Sequence, residues 1–411
     1  MLQIHWHSKT WFKLRFSGFT DEWNEVTLND VATFSKGKGI SKNDISNYGI
    51  ECVRYGELYT KYNEMIYNIE SKTDLNKNEL KLSEKNDILM PCSGETAIDL
   101  ATASCIQKDQ VAIGGDITVI KTNQYAPFIT YYLNQKKTEI AKYAQGVSIV
   151  HLYPKDFKVM NIRIPSINEQ KMIIGLLEEI TKKEQLLESK YQQYQEYKKY
   201  LMQQIFTQKL RFDDNCQYKT KQVKDFLIES KIEGIDDINK RLTVKLNLKG
   251  ITVRESKTIE IEGATKQFIR KTGQFIYGKQ NLHKGAFGII PKELDGYLTS
   301  SDIPSFDFKG GIEPKWFYYY FARKSFYEKL ENLSTGTGSK RISPKEFLNI
   351  KIIVPEFKEQ HKIVCLFEKF DEKINGISNQ IVQMNMFKKS LLQQMFVVQL
   401  ILSLLQNKKH I

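Results

Sequence analysis

Residues 153–179 read YPKDFKVMNIRIPSINEQKMIIGLLEE, and residues 343–369 read SPKEFLNIKIIVPEFKEQHKIVCLFEK. The two stretches align without a gap at a separation of 190 residues. Their register holds to LMQQIF from Leu201 and LLQQMF from Leu391, with 18 identities in the 53 columns from Pro154/Pro344 to Phe206/Phe396. Within this repeat an apolar residue returns every seventh position: Ile173, Ile180, Leu187, Tyr194 and Leu201 in the first copy, Ile363, Phe370, Ile377, Met384 and Leu391 in the second. Companion positions carry Leu177, Tyr191 and Ile205, then Phe367, Ile374, Ile381 and Met395. An apolar heptad kept over four turns of the repeat predicts two coiled-coil rods. At 1.5 Å per residue each rod of about 40 residues spans roughly 60 Å. Ser166-x-x-Glu169 offers a capping box at the start of the first rod, and Pro165 and Pro355 keep the helices from running backwards.

Outward from the rods the repeat continues more weakly but in the same order. Lys13-Leu14-Arg15-Phe16 returns as Lys209-Leu210-Arg211-Phe212, and WNEVTLNDV from Trp23 corresponds to YKTKQVKDF from Tyr218. EKNDILMP from Glu84 faces KTGQFIYG from Lys271, and Gly115-Asp116-Ile117 faces Ser301-Asp302-Ile303. An aromatic helix follows in both copies, APFITYYLNQKK from Ala126 against EPKWFYYYFARK from Glu313, with Pro127 and Pro314 at its start. The run Trp316–Phe321 reads as a buried helix rather than a base-stacking surface, since a continuous aromatic block lacks an exposed face. Alternating β-branched runs with few helices make each head α/β (α+β).

The expected architecture is therefore two globular heads and two long antiparallel coiled-coil helices in a pseudo-two-fold tandem repeat. The boundaries are an N-terminal extension 1–16, head one 17–160, rod one 161–212, head two 213–350, rod two 351–397 and a tail 398–411. The rods pack on each other most simply if a two-fold axis relates the copies, which places the heads at opposite ends. Ile173, Leu177, Ile180 and Leu187 of the first rod, and Ile363, Phe367, Phe370 and Ile377 of the second, are expected to line the seam, which is also a candidate partner surface. Glu184, Lys198 and Lys388 intrude on it and weaken it, either to specify register or, the favoured reading, to snorkel.

At 411 residues there is room for two or three domains. A hydrophobic share of 41% with 27% charged residues is ordinary for a soluble protein. Sixty-one basic against 48 acidic side chains leave +13, which favours a polyanionic partner, and nucleic acid over a membrane because no basic amphipathic helix appears. Five unpaired cysteines (Cys52, Cys92, Cys105, Cys216, Cys365) read as reduced thiols of a cytoplasmic protein. No apolar leader opens the chain, and VVQLILSLLQ near its end is too short for a bilayer of ~20 apolar residues.

Catalytic constellations are missing from the reading. No Asn/Asp-Pro-Pro-aromatic motif occurs, and Gly336-Thr-Gly-Ser-Lys340 has the wrong spacing for a phosphate loop. The histidines His5, His7, His151, His283, His361 and His410 stand apart from ligand-spaced partners, so neither a metal site nor a cofactor is expected. Basic and polar residues instead gather in Gly-rich loops. In head one these are Lys36, Lys38, Arg54, Ser93, Gly94 and Thr96. In head two they are Arg270 with Lys271, then Lys279, Gln280, Asn281, Lys284, Lys340 and Arg341. His151 and Arg341 occupy matching repeat columns. Lysine and arginine supply phosphate attraction, while amides and hydroxyls beside glycine reach base edges. DNA strands are antiparallel, so two-fold-related heads suit two half-sites, and unlike heads suit unlike half-sites.

The tandem with PSINEQKMIIGLLEEI and PEFKEQHKIVCLFEKF resembles the specificity subunit of type I restriction–modification systems from about Lys13 to Phe396. Its most specific elements are Pro165/Glu169/Gln170/Ile173 and Pro355/Glu359/Gln360/Ile363; GQFIYGKQNLHKGAFGIIP from Gly273 also looks like a variable-domain segment of that family. The resemblance implies two target-recognition domains that each read half of an asymmetric bipartite site on double-stranded DNA. It implies rods that act as a ruler and dock two methyltransferase subunits. Adenine methylation, and cleavage by ATP-dependent translocase/nuclease subunits, then belong to partners, and this chain is no enzyme. A stand-alone DNA-binding protein such as a repressor is the alternative reading, and a fused restriction–methylation enzyme is disfavoured by the missing motifs.

Overall fold

The computed structural model describes residues 2–6, 12–146, 149–255, 263, 265–334 and 341–397. These divide into two compact units, Met1–Leu186 with Gln380–Ile411, and Leu187–Asn379. Lys340, the string 336–340 and the tail beyond Val397 lie outside the described residues.

In the first unit a five-stranded sheet runs in the order Ala32–Lys36, Ile117–Thr122, Ile88–Pro91, Ser104–Ile106, Met65–Ile66. Its pairs are antiparallel except the last. Strand alternation turns Ile88, Met90 and Ile120 towards the helix side and Leu89, Ile117 and Val119 into a second cluster with Val53 and Ile113. Both faces are dry, which is why Ile88–Pro91 reads as a continuous apolar run. The aromatic helix Ala126–Gln135 lies in the helix-side core with Phe128, Ile129 and Leu133 fully buried. A smaller sheet runs Ala112–Ile113, Ile50–Val53, Ser71–Thr73, Ile45–Ser46.

The second unit repeats the arrangement with four antiparallel strands in the order Leu227–Ser230, Ser305–Phe308, Phe275–Tyr277, Phe287–Ile289. Here the core is aromatic. The Phe275 and Phe347 rings stack 5.5 Å apart, and Trp316 and Phe317 are buried in the helix Pro314–Phe321. The aromatic block is thus core, as its composition implied.

Backbone hydrogen bonds reproduce the sequence repeat column by column. Leu28 N–H donates to Met160 O as Val223 N–H does to Ile350 O, both at 3.0 Å. Cys92 N–H donates to Asp116 O and Lys279 N–H to Asp302 O; Leu152 N–H reaches Cys92 O and Ile342 N–H reaches Lys279 O. The aromatic helices correct the alignment by one residue. The Tyr132 hydroxyl accepts from Arg163 N–H as the Tyr320 hydroxyl accepts from Ile353 N–H, so Tyr132 matches Tyr320 and the two prolines occupy different positions. Pro127 sits second in its helix and Pro314 first. Either place tolerates a missing N–H, so proline was a poor marker of register.

The long helices are Ile167–Phe206 and Phe357–Leu392, the second ending in a π-helical turn Gln393–Val397. In the first unit Ile173, Ile174, Leu177 and Ile180 share a core with Leu391, Met395 and Phe396. In the second, Met202, Ile205 and Phe206 share one with Ile363, Val364 and Phe367. Each unit joins the start of one helix to the end of the other, which makes the pair antiparallel. The seam is wider than a two-helix zipper because the same residues also cover the head. Phe396 packs on Phe128 at 5.3 Å, and Phe206 on Trp316 at 5.8 Å. Ile377 is buried, whereas Leu187 and Phe370 are half-buried.

Three sequence expectations fail here. Lys388 does not snorkel but donates to Glu184 at 3.1 Å, and Lys198 donates to Asp371 at 2.5 Å with Tyr319 on the other carboxylate oxygen. Their carriers are too enclosed for a long side chain to reach water unpaired. The capping box at Ser166 is half made: Glu169 N–H donates to the Ser166 hydroxyl. The Glu169 carboxylate turns inward to Arg15, with two bonds of 2.7 Å, because a carboxylate only 1% exposed requires a cation. Finally, His361 is not isolated, as described below. No helix among the described residues is long and apolar enough to cross a membrane.

Candidate nucleic-acid interface

The first head gathers Lys36, Lys38 and Arg54 around one cleft of about 700 Å³, with Tyr55, Ser41, Asp44 and Asp116 on its walls. Its floor is a backbone crossing. Gly37 N–H donates to Ile117 O and Lys38 N–H to Ile113 O, both at 2.9 Å. A Cβ on Gly37 would fall 2.0 Å from the Gly114 carbonyl oxygen, so only glycine lets the two loops meet and holds both lysines at the rim. Arg54 is anchored from below. Its N–H donates to Glu57, which also accepts from Ser71 at 2.5 Å and Lys61 at 3.1 Å. Burial pushes the Glu57 carboxyl up, but these hydrogen bonds outweigh it and hold the carboxyl below its ordinary value.

Ser93 and Gly94 pair as a short strand with His151 and Val150, and the Ser93 hydroxyl lies 3.2 Å from His151 Nδ1. The Tyr153 ring stacks on His151 at 5.8 Å. This patch adjoins the cleft through Cys92, whose N–H holds Asp116, while Lys36 lies 3.4 Å from the Asp116 carboxylate. Thr96 has a local task instead. It caps the short helix Ala97–Leu100, accepting from Asp99 N–H.

In the second head a cleft of about 560 Å³ is lined by Lys231, Lys266, Lys279 and Lys345, with Phe268, Ser301 and Ser343. The two clefts share columns. Strand pairing matches Ser35 with Val119 and Ser230 with Ser305, so Lys36 and Lys231 stand at the same place, as do Gly115 and Ser301. Arg341, in the column of His151, pairs with Asp302 at 2.9 Å. Gln280 is exposed, and Asn281 is half-buried where its carbonyl accepts from Lys284 and Ala286 N–H.

Two of the basic residues lie away from this cleft. Lys271 is on the turn that precedes strand Phe275–Tyr277 and Lys279 follows that strand, so the strand separates them. The Lys284 carbonyl accepts from Asn247 N–H on another face. Arg270 is only 1% exposed and structural: it donates to Thr299, Ser305, Ser230 O and Ile303 O. Burial pulls its guanidinium down to about 10, still cationic at neutral pH. Lys231, Lys266 and Lys345 are not marked by the Gly-rich loops of the sequence, since only the fold brings them to one cleft.

The signature glutamines have a position in the scaffold. Gln170 accepts from Tyr125 N–H at 3.0 Å and donates to Pro165 O; Gln360 accepts from Glu313 N–H at 2.8 Å and donates to Pro355 O. Each ties the first turn of a long helix to the start of the aromatic helix and the end of the preceding strand.

The family model for the type I restriction modification DNA specificity domain matches residues 20–196 and again 217–384. Over 140 residues the chain is 27% identical to the type I restriction enzyme MjaVIII specificity subunit of Methanocaldococcus jannaschii, a match covering 33% of this chain and 32% of that protein. The fold is similar to the S subunit of a type I restriction–modification system from M. genitalium, with TM-score 0.58, 14% identity and coverage of 93% and 97% of the two chains. It is also similar to the HsdS subunit from Thermoanaerobacter tengcongensis, with TM-score 0.51, 12% identity and coverage of 92% and 98%. With both copies of the duplicated unit matched, the chain belongs to the family of type I restriction–modification DNA specificity subunits.

Proposed function

We propose that this chain reads a bipartite DNA sequence, one half with each head, for a type I restriction–modification complex. The observation that carries it is the pair of basic clefts at equivalent columns of two heads whose scaffolds share a set of backbone hydrogen bonds at matching columns. Lys36, Lys38 and Arg54 in one head, and Lys231, Lys266, Lys279 and Lys345 in the other, supply phosphate attraction. His151, Ser93, Gln280, Asn281 and Arg341 are the groups suited to base edges. The loops differ between copies, so the half-sites differ and the site is asymmetric.

The long helices serve as the spacer between half-sites. They also expose Leu186, Val382, Met386 and Phe387 at more than half of their full area, a surface suited to helices of two methyltransferase subunits. Adenine methylation and ATP-dependent cleavage reside in those and further partner subunits, and the chain itself performs no chemistry on DNA. Co-expression with a cognate methyltransferase and mapping of methyladenine in host DNA tests the proposal. Exchanging residues 217–340 for another head is expected to change one half-site and leave the other. A change in both, or in neither, refutes independent reading. Removal of one heptad from each long helix is expected to alter only the unread spacing.

A further inference from the structure

The second unit carries a constellation that DNA reading does not use. On the second long helix His361 and Cys365 stand one turn apart, with the Cys365 Sγ 3.5 Å from His361 Nε2. The other imidazole nitrogen, Nδ1, lies 3.1 Å from Glu313 Oε1 at the start of the aromatic helix. A carboxylate on Nδ1 fixes the tautomer that carries its proton there, which leaves the Nε2 lone pair facing the thiol. Glu313 is itself held in place, because its N–H is bound by Gln360. Nucleophile, base and orienting carboxylate thus follow in order.

Nothing in the scaffold demands these residues. The matching columns of the first copy carry Lys171, Gly175 and Tyr125, although the same glutamine staple is present there. Cys365 is also distinguished from its fellows by access: Cys52, Cys92, Cys105 and Cys216 are buried, while Cys365 is partly open and His361 is exposed. Burial pushes the Cys52 and Cys92 thiols up and away from the reactive thiolate form.

We propose that Cys365, His361 and Glu313 form an assisted thiol, a modification site for low-molecular-weight disulfides. In the exchange the thiol proton moves to His361 Nε2 as Cys365 Sγ attacks one sulfur of the disulfide. A new S–S bond forms, the old one breaks, and the proton passes from His361 to the departing thiolate. Cys365 is oxidised to a mixed disulfide, and one half of the reagent is reduced to a thiol.

The test uses the purified, reduced chain with 4,4′-dithiodipyridine, following released thiopyridone at pH 7 and locating the label by peptide mass spectrometry. One fast equivalent on Cys365 is expected, well separated from the four buried thiols. An unassisted thiol is only a few per cent thiolate at pH 7, so assistance is worth at most about thirtyfold. His361→Ala is expected to slow the Cys365 phase about tenfold, and Glu313→Gln to slow it less, with the thermal melt unchanged in both. A His361→Ala rate within twofold of the parent, or a Cys365 no faster than the buried thiols, overturns the proposal. The readout needs neither DNA nor partner subunits, so its failure leaves the DNA-reading proposal untouched.

Discussion

Replacing Gln360 with alanine probes why a glutamine stands at the start of the second long helix. The side chain is 1% exposed; its Oε1 accepts from Glu313 N–H at 2.8 Å and its Nε2 donates to Pro355 O at 3.0 Å. A third contact, to Gly311 O at 3.4 Å, is long enough to count for little. Gln360→Ala leaves one donor and one acceptor of the backbone buried without partners. Each orphan costs about 1–3 kcal/mol, and partial entry of water lowers the sum to about 2–4 kcal/mol. For a unit of this size each kcal/mol lowers the midpoint by ~2–4 °C, so a fall of roughly 5–15 °C is expected. Hydrogen exchange read by mass spectrometry adds the local signature: the Glu313 amide loses protection while the Tyr125 amide, held by Gln170, keeps it. Gln170→Ala is expected to give the converse. Gln192→Ala, at an exposed position of the first long helix, serves as control. A Gln360→Ala protein within about 0.5 kcal/mol of the parent, or one whose Glu313 amide stays protected, refutes the staple.

Two further outcomes follow from the heads. Lys36→Ala and Lys231→Ala, at equivalent columns, are each expected to weaken duplex DNA binding about equally across sequences and to reduce the salt slope by ~1; fluorescence anisotropy across salt concentrations measures it, and an effect confined to one base pair contradicts the phosphate role. For Glu57 the folded carboxyl lies below its ordinary value of 4.5, so it adds stability above that pH and the contribution fades as pH falls through and below it. Urea unfolding between about pH 5 and 3 is expected to show a steeper loss in the parent than in Glu57→Gln; parallel curves contradict the assignment.

The repeat was legible because a heptad and a Pro…Glu-Gln-x-x-Ile string are local patterns. Helical periodicity needs no knowledge of neighbours, and Ile173, Leu177, Ile363 and Phe367 are buried as their spacing required. Partners across space were less legible. Glu184 and Lys388 lie 204 residues apart in sequence, and their ion pair exists only because the helices run antiparallel in one register. Snorkelling was the reasonable expectation for a lone lysine, and the tertiary partner overruled it. Arg270 and Lys271 look alike as a basic pair, yet one is core and the other is exposed. Arg270 directly follows the strand Gln267–Ile269 and is held inside by four hydrogen-bond partners, while Lys271 opens the turn to the next strand, and nothing local to the pair says which of the two is covered.

The amino-acid sequence by itself determined a duplicated head and rod, the heptad stripe, the buried aromatic helices and the basic loops. Each of these is written in short-range periodicity or composition. Folding alone decided that Lys231 and Lys345 join Lys279 in a cleft equivalent to that of Lys36, that Glu169 takes Arg15, and that His361 faces both Cys365 and Glu313. Those contacts depend on strand register and helix rotation, which long-range packing sets and which no local stretch of chain encodes.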